Sequence, residues 1–201
     1  GSTRDYGIYL NNMDYISISG IQIQKTDSWG VFVSDGDTVT IDDCVVDDCY
    51  GGIRVQTNSS VISITNSTIS DTYWMAGIDV ESCSDLTATG NTLQDIASGT
   101  TYPAPIFTNG PHGIFSDAVT NTISNNTIDD IGRNGIFVAS SCTSGTVSGN
   151  TISDYLLASA DGGGIYTYGN HSSGLTISKN VITGGTHNVV GTPGSSTADY
   201  D

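Results

Sequence analysis

Residues 135–154 read GIFVASSCTSGTVSGNTISD. The stretch opens on Gly-Ile-Phe-Val, passes through Thr-Val-Ser and closes on Gly-Asn-Thr-Ile-Ser-Asp. Working outward from it, the opening recurs as GIYL at Gly7, GVFV at Gly30, GIRV at Gly52, GIDV at Gly77, GIFS at Gly113 and GIYT at Gly164. Seven copies of one unit, most of them about 22 to 25 residues long, point to a solenoid, because a unit this short buries its apolar face only by stacking on its neighbours. A single domain over residues 1–201 is expected, with rungs starting near residues 7, 30, 52, 77, 113, 135 and 164.

Each unit divides into three strands with side chains alternating at period two. The first places Ile8, Val31, Ile53, Ile78, Ile114, Ile136 and Ile165 inward. The second contributes Ile18, Ile41, Ile64, Ala88, Ile123, Val147 and Ile177, and the third Ile23, Val46, Ile69, Leu93, Ile128, Ile152 and Ile182. The last two columns are five residues apart in every copy, whereas the other two connections vary. One constant tight bend beside two variable ones describes a three-sided coil. Asn91, Asn126, Asn150 and Asn180 share a column at that bend, and at about 4.8 Å per rung each amide can bond the next.

Across residues 7–188 this pattern resembles the right-handed parallel β-helix of the pectin-lyase-like superfamily. The resemblance implies an all-β solenoid of about seven three-strand rungs. It also implies an extracellular or cell-surface protein that handles polysaccharide in a groove floored by stacked parallel strands. The lyases of that superfamily commonly set a Lys or Arg base beside calcium, and here Arg54 alone stands among the relevant carboxylates. The Asn-Thr-Asp and Gly-His-Gly motifs of polygalacturonases are absent.

Five Lys and Arg stand against 21 Asp and Glu, for a formal net charge of −16. Such a chain repels nucleic acid and anionic lipid, and no apolar run approaches the roughly 20 residues of a membrane span. Neither partner is expected. No secretion signal is legible, and neither GSTRDY nor GSSTADYD is an amphipathic capping helix. The chain is therefore expected to be a piece of a longer protein or a unit that stacks end to end. Cys44, Cys49, Cys83 and Cys142 lack metal-ligand spacing and are read as buried free thiols.

The outward positions of the first strand carry the candidate chemistry. One column reads Tyr9, Phe32, Arg54, Asp79, Phe115, Phe137, Tyr166, and the next Asn11, Ser34, Gln56, Glu81, Asp117, Ala139, Tyr168. Asp79, Glu81 and Asp117 are the candidate catalytic residues and, alternatively, a calcium site, since stacked carboxylates repel until one is protonated or a cation binds. Arg54 beside Asp79 is expected to hold it ionised. Arg54, Phe115, Phe137, Tyr166, Tyr168 and His112 are the candidate substrate contacts, with aromatic faces suited to sugar rings. Insertions at 94–112 and 155–163 leave one edge and should wall this face. If the protein hydrolyses glycan, Asp79 and Asp117 are diagonal, with room for the water that inversion requires; a hydrolase fits better than a lyase. The competing class is a non-catalytic surface or filament module with no cofactor. A minor third is ice binding on the Thr/Ser face of the second strands. A further acidic column, Asp48, Asp71, Asp95, Asp130 and Asp154, is read as turn structure, the functional alternative being calcium held between neighbouring rungs. His171 and His187 are read as surface residues.

Overall fold

The computed structural model describes residues 4–99, 110–159, 161–171 and 173–185. Three parallel sheets of seven strands run the length of the rod, each rung giving one strand to each sheet. The chain is an all-β, right-handed parallel β-helix of seven rungs. The expected inward columns are the observed register: Ile8 pairs with Val31, Val31 with Ile53, Ile53 with Ile78, and so on to Ile165. The second and third sheets follow suit, ending at Ile177 and Ile182. From rung two to rung six these residues are buried in one continuous core. In the last rung Ile177 and Ile182 are exposed, with no described rung above them.

The constant bend has a backbone cause. Gly20, Asp43, Asn66, Gly90, Asn125, Gly149 and Lys179 all hold positive φ at that position, which glycine adopts freely and Asn and Asp tolerate better than most residues. From the second rung on, the next residue turns its side chain into the coil. There Asn126 Oδ1 accepts from the Asn91 backbone N–H at 3.0 Å, and Asn126 Nδ2 donates to Ala88 O at 3.0 Å and to Asn150 Oδ1 at 2.9 Å. Asn150 repeats the pattern with Asn180, and Ser67 starts it, accepting from the Cys44 N–H. The ladder thus satisfies buried bend backbone that three sheets leave unpaired. Replacing Asn126 with alanine orphans the Asn91 N–H and the Ala88 carbonyl, and at about 1–3 kcal/mol per stranded group should cost about 2–6 kcal/mol. Urea unfolding of Asn126→Ala beside Asn180→Ala checks this, the terminal position costing less.

The third-strand acids have the same explanation. Lys25, Asp48, Asp71, Asp95, Asp130, Asp154 and Gly184 occupy one position and all have positive φ. The positive φ gives the column a backbone role at the end of the third strand, and Asp130 and Asp154 also belong to a carboxylate cluster with Asp129. The four cysteines are buried and free.

Candidate functional site

On the outward face of the first sheet Tyr9, Phe32, Arg54, Asp79, Phe115, Phe137 and Tyr166 are consecutive register partners. The sequence placed these side chains together. It did not foresee how deeply the middle of the face is covered. Asp79 is wholly buried, Phe115 1% exposed and His112 wholly buried. The described end of the first insertion explains part of this. His112 lies over the sheet, with its ring centroid 6.0 Å from that of Phe115 and 5.3 Å from that of Phe137. The expectation that His112 borders an open groove is corrected: it is a packed core residue. Burial, with Arg133 nearby, lowers its pKa to about 3, so it is neutral. Its Nδ1 faces the Asn134 amide at 3.2 Å, an arrangement in which the amide donates and the imidazole proton sits on Nε2. That buried Nε2 has no hydrogen-bond partner. His112 and Asn134 occupy the same repeat position, one residue before Gly113 and Gly135, so their contact was readable from the period.

Arg54 anchors the acidic half of the face. Its Nη1 donates to Asp79 Oδ2 and its Nη2 to Glu81 Oε2, both at 2.8 Å, while its Nε donates to Gln56 Oε1 at 3.1 Å. The guanidinium carbon stands 5.4 Å from the centroid of the Trp29 ring, a cation–π contact that the sequence reading missed although Trp29 immediately precedes Gly30. Asp79 Oδ1 is buried without a partner. Burial raises the Asp79 pKa to about 7; Arg54 opposes the rise and Glu81 adds to it. Arg54 therefore does not hold Asp79 fully ionised at neutral pH, contrary to expectation, because desolvation of a completely enclosed carboxyl outweighs one ion pair.

The proposed carboxylate triad does not assemble. Asp117 Oδ1 accepts the Ser141 backbone N–H at 2.8 Å, while Asp79 and Glu81 are turned toward Arg54. Among the described residues the carboxylates whose oxygens converge within 4.8 Å are Asp129, Asp130 and Asp154. Asp79, Glu81 and Asp117 thus do not form the expected calcium cage, their carboxylates being engaged by Arg54 and the Ser141 amide. Desolvation, Asp129, Asp95 and Asp154 raise the Asp130 pKa in that other cluster, as the mutual repulsion of stacked carboxylates requires.

The aromatic half is better preserved. Phe115, Phe137 and Tyr166 meet edge to face, with centroids 5.3 and 5.2 Å apart. Phe137 and Tyr166 are half-buried, and Tyr168 beside them is 64% exposed. At the opposite end Tyr6, Tyr9 and Phe32 form a second ring cluster, with Tyr6 and Tyr9 stacked at 5.2 Å. The second insertion is pinned by Arg133, which donates from Nε to the Asp161 carbonyl and from Nη2 to its carboxylate. A groove among the described residues lies elsewhere, at the third-strand edge, lined by Lys25, Asp47, Asp48, Asp71, Tyr73 and Asp95. Residues 100–109 of the first insertion, expected to wall the face, and His187 lie outside the described residues. On the second sheet Thr65 and Asn66 donate to Asp42, and Thr89 bonds Ser124, so part of the Thr/Ser face is engaged in the sheet.

The family model described as periplasmic copper-binding protein (NosD) matches residues 1–200. The chain belongs to the NosD family. No curated protein and no solved structure matches it. Membership fits the seven-rung parallel solenoid, since NosD is a family of right-handed parallel β-helices, and it narrows the superfamily resemblance to one branch. The copper of the NosD description needs donors, and the described residues of this member offer few. His112 is enclosed with one nitrogen engaged, and His171 Nδ1 is 2.8 Å from the Cys142 carbonyl oxygen. The four thiols face inward, and the one carboxylate cluster supplies oxygen alone. These groups do not fit a copper centre, for which imidazole, thiolate and thioether are the usual ligands.

Proposed function

We propose that this NosD member works outside the cytoplasm as a non-catalytic binding rod that holds a neutral polysaccharide along its first-sheet face. One observation carries the reading: the aromatic row is continuous from Phe115 through Phe137 to Tyr166, with the exposed Tyr168 two residues further along the same chain segment, whereas the neighbouring carboxylates are spent on internal bonds. Aromatic faces bind CH-rich sugar surfaces without needing charge. A net charge of −16 disfavours polyanionic glycans. The location rests on the periplasmic description of the family.

A panel of neutral and acidic polysaccharides, assayed for binding, new reducing ends and unsaturated products, tests this. Binding to a neutral glycan without turnover is expected. Tyr168→Ala should weaken it by about 1–3 kcal/mol if a sugar ring stacks there, by analogy with stacking on bases, and Asp117→Asn should leave it unchanged. Release of reducing ends that Asp117→Asn abolishes would instead make the protein a glycoside hydrolase. Failure to bind any member of the panel would leave the rod as a purely structural module.

A further inference from the structure

We infer that this member of the NosD family has no copper centre among its described residues: its own soft donors are taken up in packing. The inference rests on where each donor stands. Cys44 occupies the ladder bend of the second rung, with Sγ 3.3 Å from Asp42 O. Cys49 ends the third strand of that rung, paired in register with Thr72, where later rungs carry Ile96 and Ile131; it is an aliphatic position. Cys83 Sγ lies 3.0 Å from Ser60 O and Cys142 Sγ 3.3 Å from Ser144 O. All four are 3% exposed or less. Each thiol spends its hydrogen on a backbone carbonyl. Since the thiolate is the metal-binding form, burial works against copper, and it pushes the Cys83 thiol up to about 11.

The remaining donors are scattered. Met13 follows the first strand of rung one, and Met75 lies in the bend after the third strand of rung three. His112 and His171 belong to rungs five and seven, and each engages its Nδ1 inside the protein. Each also buries an Nε2 without a partner, yet no group of three His, Cys, Asp or Glu donors converges at either imidazole among the described residues. The converging group, Asp129, Asp130 and Asp154, offers the hard oxygen donors that suit magnesium, calcium or manganese better than Cu(I). His187 follows rung seven outside the described residues, and His171 is the nearest imidazole in sequence.

The test loads the whole folded chain with one equivalent of Cu(I) under anaerobic reducing conditions, and separately with Cu(II). Each sample is then passed through a competing chelator and assayed for retained metal by atomic absorption. Complete loss of copper to the chelator is expected, with no shift in melting temperature, because only a ligand that prefers the folded state stabilises it. Cu(I) retained solely by urea-unfolded protein and released on refolding would support the inference, since unfolding frees the thiols. Stoichiometric retention by the folded chain with a raised melting temperature would overturn it. His171→Ala and His187→Ala, compared in the same assay, would then identify the imidazole responsible.

Discussion

Gly52→Ala should destabilise the rod by more than about 3 kcal/mol, although it adds a single methyl group. An alanine Cβ at this position would run into the carbonyl oxygen of Gly77 on the next rung and meet Ile69 Cγ2 at 2.6 Å. Gly77, Gly113 and Gly135 are confined in the same way, each against a backbone carbonyl one rung on and a core side chain of its own rung. The opening glycine of the repeat therefore sets how closely the first bend approaches its neighbour. Adding volume to a close-packed core usually costs 1–3 kcal/mol, and here the obstacle is backbone, which cannot rotate away as a side chain can. Gly99→Ala is the matched control, with nothing within 4 Å of its added Cβ and no positive φ. Thermal and urea unfolding of both variants checks the claim; equal midpoints would show that the rungs can slide apart at no cost.

That contrast also shows why so much of the fold was legible. A solenoid writes its register into the period, so Ile53, Ile78 and Ile114 could be aligned by counting and prove to be hydrogen-bonded neighbours. The Asn ladder was legible for the same reason, since Asn91, Asn126, Asn150 and Asn180 recur at one position of the period. The site was less so. Counting placed Asp79 and Asp117 on one face, but not the directions their carboxylates take. Asp79 turns to Arg54, and Asp117 to the Ser141 amide. Burial of Asp79 and His112 depends on chain passing over the face, and irregular insertions have no period to count. The burial of the four thiols was legible too, but copper itself lay out of reach of periodicity, because it enters only with the family match.

Removing the Arg54 side chain should produce a stability loss that grows with pH. In the native protein Asp79 is enclosed, and its pKa is raised to about 7, chiefly by desolvation. A carboxyl whose folded pKa lies above its unfolded value binds its proton more tightly in the folded state. Stability therefore falls as pH rises from about 4 toward 7 and levels off above that. In Arg54→Met the one cation opposing this rise is gone, so the folded pKa climbs further and the decline continues past 7. Near pH 5 the enclosed carboxyl is neutral in both proteins and the variant should lose little beyond the contacts of Arg54 with Trp29, Gln56 and Glu81. Above pH 7 the parent's carboxyl ionises against Arg54 while the variant's stays protonated, so at about 1.4 kcal/mol per pH unit the deficit should grow by up to about 2 kcal/mol by pH 8.5. Asp79→Asn provides the sign check: it has no proton to lose, so its stability should be flatter than that of the parent between pH 4 and 7. Chemical unfolding of the three proteins at pH 5, 7 and 8.5 separates the cases. A deficit for Arg54→Met that is the same at all three values would mean that Asp79 stays ionised throughout and that the guanidinium, not desolvation, governs this carboxyl.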